Sequence, residues 1–154
     1  MRMDIRVLTT ADALGWRSLW DGYLAFYGVE IPEEVTQKTF TRLTAEGAGM
    51  QGLIALEDGQ PVGFAHLILH LCTWDIRPSC YLEDLFVLES ARGRGVGGAL
   101  LDRVVSFAKE ASIGRVYWHT AATNAPARRL YDQYVTADGF VRYRMAIADA
   151  GVIR

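Results

Sequence analysis

A glycine-rich segment between a strand-like run and a helix-like run constrains the fold of this chain more than any other feature. The segment reads Arg92, Gly93, Arg94, Gly95, Val96, Gly97 and Gly98. Glycine has no Cβ, so the backbone can approach a phosphate group closely, and the free N–H groups at the start of a helix favour an anion there. The two arginines would add charge-assisted contacts. The segment therefore predicts either a phosphate-binding loop or simply a tight strand-to-helix connection.

The residues around this segment disfavour the two common nucleotide-binding loops. A Walker loop requires a lysine followed by serine or threonine, whereas Ala99 and Leu100 follow the last glycine. A dinucleotide-binding loop normally lies in the first strand–helix unit of a domain, and the next strand ends in an acidic residue. Here the next strand ends with Trp118, His119 and Thr120.

The pattern of apolar residues predicts strands and helices in a mixed order. Asp58 and Gly59, between two strand-like runs, are the strongest local signal, because this pair supplies the positive φ angles of a two-residue hairpin turn. The predicted strands cover residues 5–8, 52–57, 62–71, 80–88, 115–120 and 140–147. The predicted helices are one that ends at Gly28, one that Pro32 opens, one over 97–111 and one over 125–134. This order indicates an α/β or α+β fold.

Apolar stripes predict which faces of the first two helices are buried. In the first helix the stripe comprises Leu14, Trp16, Leu19, Trp20, Tyr23 and Tyr27. In the second helix it comprises Val35, Phe40 and Leu43.

Length and composition indicate one ordinary domain, which we assign to residues 1–154. Hydrophobic residues make up 51% of the chain, and the formal charge of -2 argues against a general nucleic-acid surface. The apolar stretch 62–72 is interrupted by His66 and His70 and is too short to span a membrane. Because no leader-like apolar run opens the sequence, a cytoplasmic location is expected. Cys72 and Cys80 have no second pair to complete a zinc site, and reduced thiols are expected there.

Three blocks in the second half of the chain resemble the GNAT acyltransferases. The cofactor motif of that family reads Gln/Arg-x-x-Gly-x-Gly/Ala, which Arg92, Gly95 and Gly97 match. The resemblance continues upstream through residues 81–87, downstream through 124–131, and to the pair Gly139 and Phe140. The strand sequence Leu-Glu-Asp-Leu-Phe-Val is most similar to the branch of diamine or polyamine acetyltransferases and small histone-acetyltransferase-like enzymes.

The resemblance implies a single GNAT-like α/β domain, with a mixed and mostly antiparallel sheet flanked by helices. It also implies direct transfer of an acetyl group from acetyl-CoA to a primary amine, without a metal. The cofactor-binding residues implied by the family are Leu85, Phe86 and Val87 beside the pantetheine arm, Arg92, Gly93, Arg94, Gly95, Val96, Gly97 and Gly98 around the pyrophosphate, and Asn124 and Ala127 on the cofactor arm.

Two residues are predicted to carry the chemistry. An amine with a pKa near 10 is mostly protonated at neutral pH and must lose a proton before it attacks a thioester. Glu83 is the predicted base, since a carboxylate in an otherwise apolar strand is costly unless it is paired or functional. Alternatively, Glu83 or Asp84 faces solvent or forms an ion pair. The resemblance implies that Tyr131 stands near the thioester sulfur as the acid, the alternative being a packing aromatic. His66, His70 and His119 are expected to be hydrogen-bonded polar positions.

The acceptor and the partners follow from the resemblance alone. A small diamine or other small amino compound is favoured as substrate, with a protein lysine as a further candidate. Where polyamine enzymes carry an acid after the last tyrosine of the first helix, this chain has Gly28, which puts a polyamine in doubt. The branch implies a homodimer. The alternative function is a non-catalytic acyl-CoA binding or sensing module.

Overall fold

The computed structural model describes residues 1–148, in which five strands form one sheet in the order β1-β2-β3-β4-β5. The strands are β1 (Met3–Val7), β2 (Met50–Glu57), β3 (Gln60–His70), β4 (Ser79–Val87) and β5 (Arg115–Tyr117). The helices are α1 (Ala13–Tyr27), α2 (Glu33–Thr44), α3 (Val96–Glu110) and α4 (Ala125–Tyr131). The first four strands are antiparallel, and β5 is parallel to β4. The predicted mixed, mostly antiparallel sheet flanked by helices is confirmed.

Local turn chemistry sets the boundaries that the sequence predicted best. Asp58 and Gly59 have φ angles of 48° and 81°, so the β2–β3 hairpin has the predicted turn with two positive φ angles. Gly28 ends α1 in the left-handed conformation, with φ of 64°. Pro32 stands immediately before the first residue of α2.

The two faces of the sheet carry separate apolar clusters. One face packs against α1 and α2, through residues including Trp16, Leu19, Trp20, Tyr23, Leu43, Phe64 and Phe86. The other face packs against α3, with Leu53, Ala65, Leu67, Leu82, Leu100, Leu101 and Val104 buried in it. Because successive strand residues alternate between these faces, β4 carries side chains into both clusters.

A β-bulge interrupts this alternation in the middle of β4. In the β3–β4 register His66 lies opposite Asp84, and Leu67 lies opposite Leu82. Glu83 is therefore the extra residue of the bulge and has no register partner on β3. As a result Leu82 belongs to the α3 side, whereas Asp84, two residues later, contacts Tyr23 of α1.

Beyond the bulge, β4 and β5 separate. The parallel ladder between them covers three register pairs and ends at Tyr81 opposite Tyr117. Strand β4 continues to Val87, so residues 82–87 have no strand partner on that side within the described part of the chain. We call this opening between β4 and β5 the split. It leaves a row of backbone donors and acceptors available to a ligand.

Several expectations from the sequence were wrong. Residues 140–147 form no strand in the structure, because their backbone has no neighbouring strand to pair with, and their side chains are exposed. Leu14 is 89% exposed, Tyr27 50% and Val35 41%, so none of the three belongs to a buried stripe. Thr36 takes the buried position in α2, where its hydroxyl accepts a hydrogen bond from the Trp20 indole. The predicted strand 115–120 ends at Tyr117, where the split removes its partner.

Among the described residues, no helix has the length and apolar character needed to cross a membrane.

Candidate functional site

Residues 92–98, which we call the glycine loop, follow β4 and include the first turn of α3. Gly93 and Gly95 have φ angles of 75° and 82°, which residues with a Cβ rarely adopt. A Cβ at either position would meet nothing within 4 Å, so backbone conformation, and not crowding, calls for glycine there. The first helical bond runs from the Ala99 N–H to the Gly95 carbonyl. The preceding N–H groups belong to the first turn, whose donors an anion can satisfy.

The two arginines of the glycine loop are tied to the protein. Arg94 forms an ion pair of 2.6 Å with Glu57, whose side chain is buried at the end of β2. Arg92 donates from Nε to the Val87 carbonyl at 3.0 Å, and its guanidinium lies 5.2 Å from the centre of the Phe26 ring. These contacts hold both flanks of the loop. Direct contacts from the arginines to a phosphate stay a prediction.

Helix α4 packs directly on the glycine loop. A Cβ at Gly97 would lie 3.1 Å from Cδ2 of Leu130, so the small residue permits the close approach of α4. The Tyr134 hydroxyl donates to the Gly98 carbonyl at 2.9 Å and also lies 2.7 Å from the Asp102 carboxylate. The loop and α4 therefore form one packed unit.

Asn124 and Ala127 lie at the start of α4. Asn124 is the N-cap, and its Oδ1 accepts a hydrogen bond from the Ala127 N–H at 3.3 Å. This bond orients the Asn124 amide and leaves its NH₂ group as a donor. The contact of both residues with a cofactor stays a prediction.

Tyr131 is half-buried at the end of α4. Its ring packs edge-on against Trp118, with 5.5 Å between ring centres. Burial raises the pKa of the Tyr131 phenol, and the nearby Tyr27 phenol adds to the effect. Tyr131 therefore stays protonated around neutral pH and can donate a proton.

Glu83 is exposed at the bulge, where the split begins. The pKa of the neighbouring Tyr117 is raised, first by burial and in part by the charges of Cys80 and Glu83, while Arg115 opposes the rise. The Glu83 carboxylate therefore lies close enough to Tyr117 for its negative charge to disfavour ionisation of the phenol.

Aromatic and imidazole rings surround Tyr117. Tyr81 stacks on Tyr117 with 5.1 Å between ring centres. The Tyr117 hydroxyl is 2.7 Å from Nε2 of His70, and the Tyr81 hydroxyl is 3.2 Å from Nδ1 of His119. A carboxylate beside electron-rich rings suits a cationic amine.

Asp84, next to Glu83, is buried, so of the two adjacent acids only Glu83 is accessible. Asp84 accepts a hydrogen bond from the Tyr23 hydroxyl at 2.6 Å and contacts Nδ1 of His66 at 2.9 Å. His66 is itself buried and fully hydrogen-bonded, as expected for a polar position inside the fold.

The predicted cofactor residues of β4 line the split. Leu85 and Val87 pack partly into the α3-side cluster, and Phe86 is buried on the α1 side. Their backbones belong to the stretch without a strand partner towards β5.

Three aromatic residues near the candidate site, Tyr81, Tyr117 and Trp118, were not predicted from the sequence: Tyr81 stacks on Tyr117, the charge of Glu83 acts on the Tyr117 phenol, and Trp118 contacts Tyr131. Their signal was aromatic residues in two strand-like runs, and only the parallel register of β4 and β5 shows that Tyr81 and Tyr117 are neighbours. Within residues 1–148, no group of three or more His, Cys, Asp or Glu side chains is placed to hold a metal ion.

Comparison with known proteins gives consistent matches over most of the chain. Residues 16–135 match the model described as the Acetyltransferase (GNAT) family. The chain is 34% identical to the D-amino-acid N-acetyltransferase HPA3 of Saccharomyces cerevisiae, over 93% of this chain and 90% of that protein. It is 32% identical to the uncharacterized N-acetyltransferase YhfO of Bacillus subtilis, over 92% and 95% of the two chains.

Solved structures share the fold. An aminoglycoside acetyltransferase from an uncultured soil metagenomic sample, in complex with trehalose, superimposes with a TM-score of 0.81 at 19% identity, over 95% of this chain and 97% of the other. AAC(6')-Iy in complex with the bisubstrate analog CoA-S-monomethyl-acetylneamine gives a TM-score of 0.75 at 23% identity, over 95% and 99%.

Proposed function

The chain belongs to the GNAT acetyltransferase family, and from that premise we propose that it moves the acetyl group of acetyl-CoA directly to the primary amine of a small amino compound. One observation carries the proposal: the split between β4 and β5 opens next to a loop that presents the N-terminus of α3. An extended arm can pair with the free edge of β4 while its diphosphate occupies the helix N-terminus. We assign this activity to one domain over residues 1–154.

The residues around the split fit acetyl-CoA in this arrangement. The backbone of β4 would pair with the pantetheine arm, which places Leu85, Phe86 and Val87 beside it, and the glycine loop would hold the pyrophosphate. Asn124 would offer its amide NH₂ group at the start of α4, next to Ala127. Acetyl-CoA supplies an acetyl group that is activated as a thioester. The protein supplies the amine site and the proton transfers.

Glu83 accepts the proton from the incoming ammonium in this proposal, directly or through water. Its position at the bulge turns a carboxylate to the accessible start of the split. The free amine then attacks the thioester carbonyl, the attacking nitrogen gives up its second proton to water, the C–S bond breaks, and the sulfur leaves. Tyr131 donates its phenolic proton to the departing sulfur, since its raised pKa keeps it protonated until then.

The transfer needs no acyl-enzyme. Cys80 is buried, and burial raises its pKa to about 11, so it is a thiol and a poor nucleophile at neutral pH. Free thiols at Cys72 and Cys80 also accord with the cytoplasmic location that we propose.

For the acceptor, we propose a free amino acid. The ring cluster of Tyr81, Tyr117 and His119 beside Glu83 suits the ammonium group of such a molecule. A relative with 34% identity is a D-amino-acid N-acetyltransferase, which makes the D-configuration the first to test. A protein lysine is the alternative acceptor.

An acceptor screen tests the proposal. The purified protein is incubated with acetyl-CoA, and release of the coenzyme A thiol is followed with paired D- and L-amino acids, diamines, an aminoglycoside and lysine peptides at equal concentration. We expect acceptor-dependent thiol release, strongest with amino acids. Thiol release that no amine increases would overturn the proposal.

Tyr131→Phe is expected to lower kcat by about 10-fold, with an unchanged KM for acetyl-CoA. The effect is modest for a proton donor, because a thiol with a pKa near 8.5 leaves tolerably well without protonation. Steady-state kinetics at neutral pH measure it. Tyr143→Phe, at a side chain that is 91% exposed, is the matched control. An unchanged kcat in Tyr131→Phe would remove Tyr131 as the acid.

A homodimer is also proposed, and the segment 140–147 supports it. Its apolar side chains recur at every second position through Val141, Tyr143, Met145 and Ile147, and each is at least 73% exposed. Strand β5 ends the sheet order, so its outer edge can accept another strand. We propose that the segment of one copy pairs with β5 of a second copy.

Sedimentation analysis should therefore give twice the mass of one chain. The double change Tyr143→Asp and Met145→Asp should give the single-chain mass, because it places charge in the apolar row. Arg144→Gln, at an alternate position, should leave the dimer intact. A single-chain mass for the unmodified protein would contradict the dimer.

A further inference from the structure

Four buried polar groups form a hydrogen-bonded chain between α1 and the sheet, and the proposed reaction does not use them. The Trp16 indole donates to Nε2 of His66 at 3.0 Å, and Nδ1 of His66 contacts the Asp84 carboxylate at 2.9 Å. The Tyr23 hydroxyl donates to the other oxygen of that carboxylate at 2.6 Å. All four side chains are buried, with His66 only 1% exposed.

The donors fix the protonation pattern of this chain. An indole N–H can only donate, so Nε2 of His66 accepts and Nδ1 carries the hydrogen. The neutral imidazole thus donates to Asp84, which accepts two hydrogen bonds as a carboxylate. Burying such a group is costly, and apolar side chains of the same size often stabilise a core equally well. Stability alone therefore gives no reason for these groups.

The position of the four groups in the fold suggests a reason for burying them. His66 and Asp84 are the register pair that borders the bulge, and the next pair in the ladder skips Glu83. Their side chains join β3 to β4 at this point, and Tyr23 and Trp16 anchor the pair to α1. A register slip of one residue would exchange the faces of successive side chains and move the Glu83 carboxylate away from the start of the split.

We propose that Asp84, held by His66 and Tyr23, is a positioning residue that locks the β4 bulge and so aims Glu83 at the acceptor amine. The inference rests on the proposed function, because it requires Glu83 to be the base. Asp84 itself does not touch the substrate.

A double-mutant cycle separates positioning from a purely structural role. The four proteins are the unmodified enzyme, Glu83→Gln, Asp84→Asn and the double variant, each assayed for kcat and for the KM of acetyl-CoA. We expect Asp84→Asn to lower kcat by about 10-fold or more in the unmodified background. In the Glu83→Gln background the same change should lower kcat by no more than about 2-fold. The KM for acetyl-CoA should stay unchanged in both.

Asp12→Asn is the control. Asp12 is a largely buried carboxylate that pairs with Arg6 at 2.7 Å, remote from β4, and its loss should leave kcat unchanged below the melting temperature. If Asp84→Asn does not fold, Tyr23→Phe removes a hydrogen-bond donor to Asp84 while keeping the ring, and it is measured in the same two backgrounds with the same expectation.

Equal losses of kcat in both backgrounds would overturn the positioning role while leaving Glu83 as the base. If Glu83→Gln alone changes nothing, the proposed base and this inference both fall. Absence of acetyl transfer by the unmodified enzyme would be a failure of the proposed function itself.

Discussion

Replacing Glu83 with glutamine is expected to lower kcat by about 10²- to 10⁴-fold at neutral pH, the range that positioned proton transfer usually contributes. Glutamine keeps the size and the hydrogen-bonding capacity of the side chain but cannot accept the proton of an ammonium group. Because Glu83 is exposed at a bulge, the change should cost little folding stability. Steady-state kinetics with the best acceptor measure the loss.

Two further measurements make the Glu83 experiment decisive. Glu89→Gln removes another exposed carboxylate just after β4 and should leave kcat unchanged. Raising the pH should recover part of the activity of Glu83→Gln, because a larger fraction of the acceptor is then unprotonated. A variant with full activity at neutral pH would show that the amine loses its proton elsewhere.

Replacing Gly95 with aspartate is expected to abolish most of the affinity for coenzyme A. A carboxylate about 5 Å from a phosphate charge, at an effective dielectric constant near 20, costs about 3 kcal/mol, or about 100-fold in affinity. Gly95 is the N-cap of α3 with φ of 82°, and aspartate tolerates that conformation better than most residues and caps helices well. The fold should therefore survive the change.

Gly95→Asn is the matched variant, because it has the same shape and the same backbone preference without the charge. We expect calorimetry to show that the dissociation constant for coenzyme A rises about 100-fold in the aspartate variant. In the asparagine variant it should change by less than about 10-fold. Gly59→Asp, in the β2–β3 turn at φ of 81°, controls for backbone strain. Equal losses for aspartate and asparagine would place the diphosphate away from this helix end.

Local signals explain why much of the fold was predictable. The Asp58-Gly59 turn and Gly28 at the end of α1 are set by backbone preferences that a few residues determine. The glycine loop is similar, since positive φ at Gly93 and Gly95 favours glycine whatever surrounds it. The family followed from three such blocks in order. The sequence shows that Glu83 and Asp84 are adjacent acids, but it does not show which of them is buried.

The parts of the fold that depend on strand pairing could not be predicted from the sequence. The alternating pattern of residues 140–147 predicted a strand, yet a strand forms only where another backbone satisfies its donors and acceptors. The same principle shortened β5 at Tyr117, because its partner β4 turns away there. A pattern within one segment contains no information about the distance to the neighbouring strand.

The sequence by itself determined the order of elements as far as α4, the positive φ angles of the glycine loop and the family, because each depends on residues close together in the chain. Only the tertiary structure decided that Glu83 occupies a bulge, that Asp84 is buried against Tyr23 and His66, and that Trp118 packs against Tyr131. These features depend on the register between strands and on the helices packed over them. Contacts between residues far apart in the chain set both.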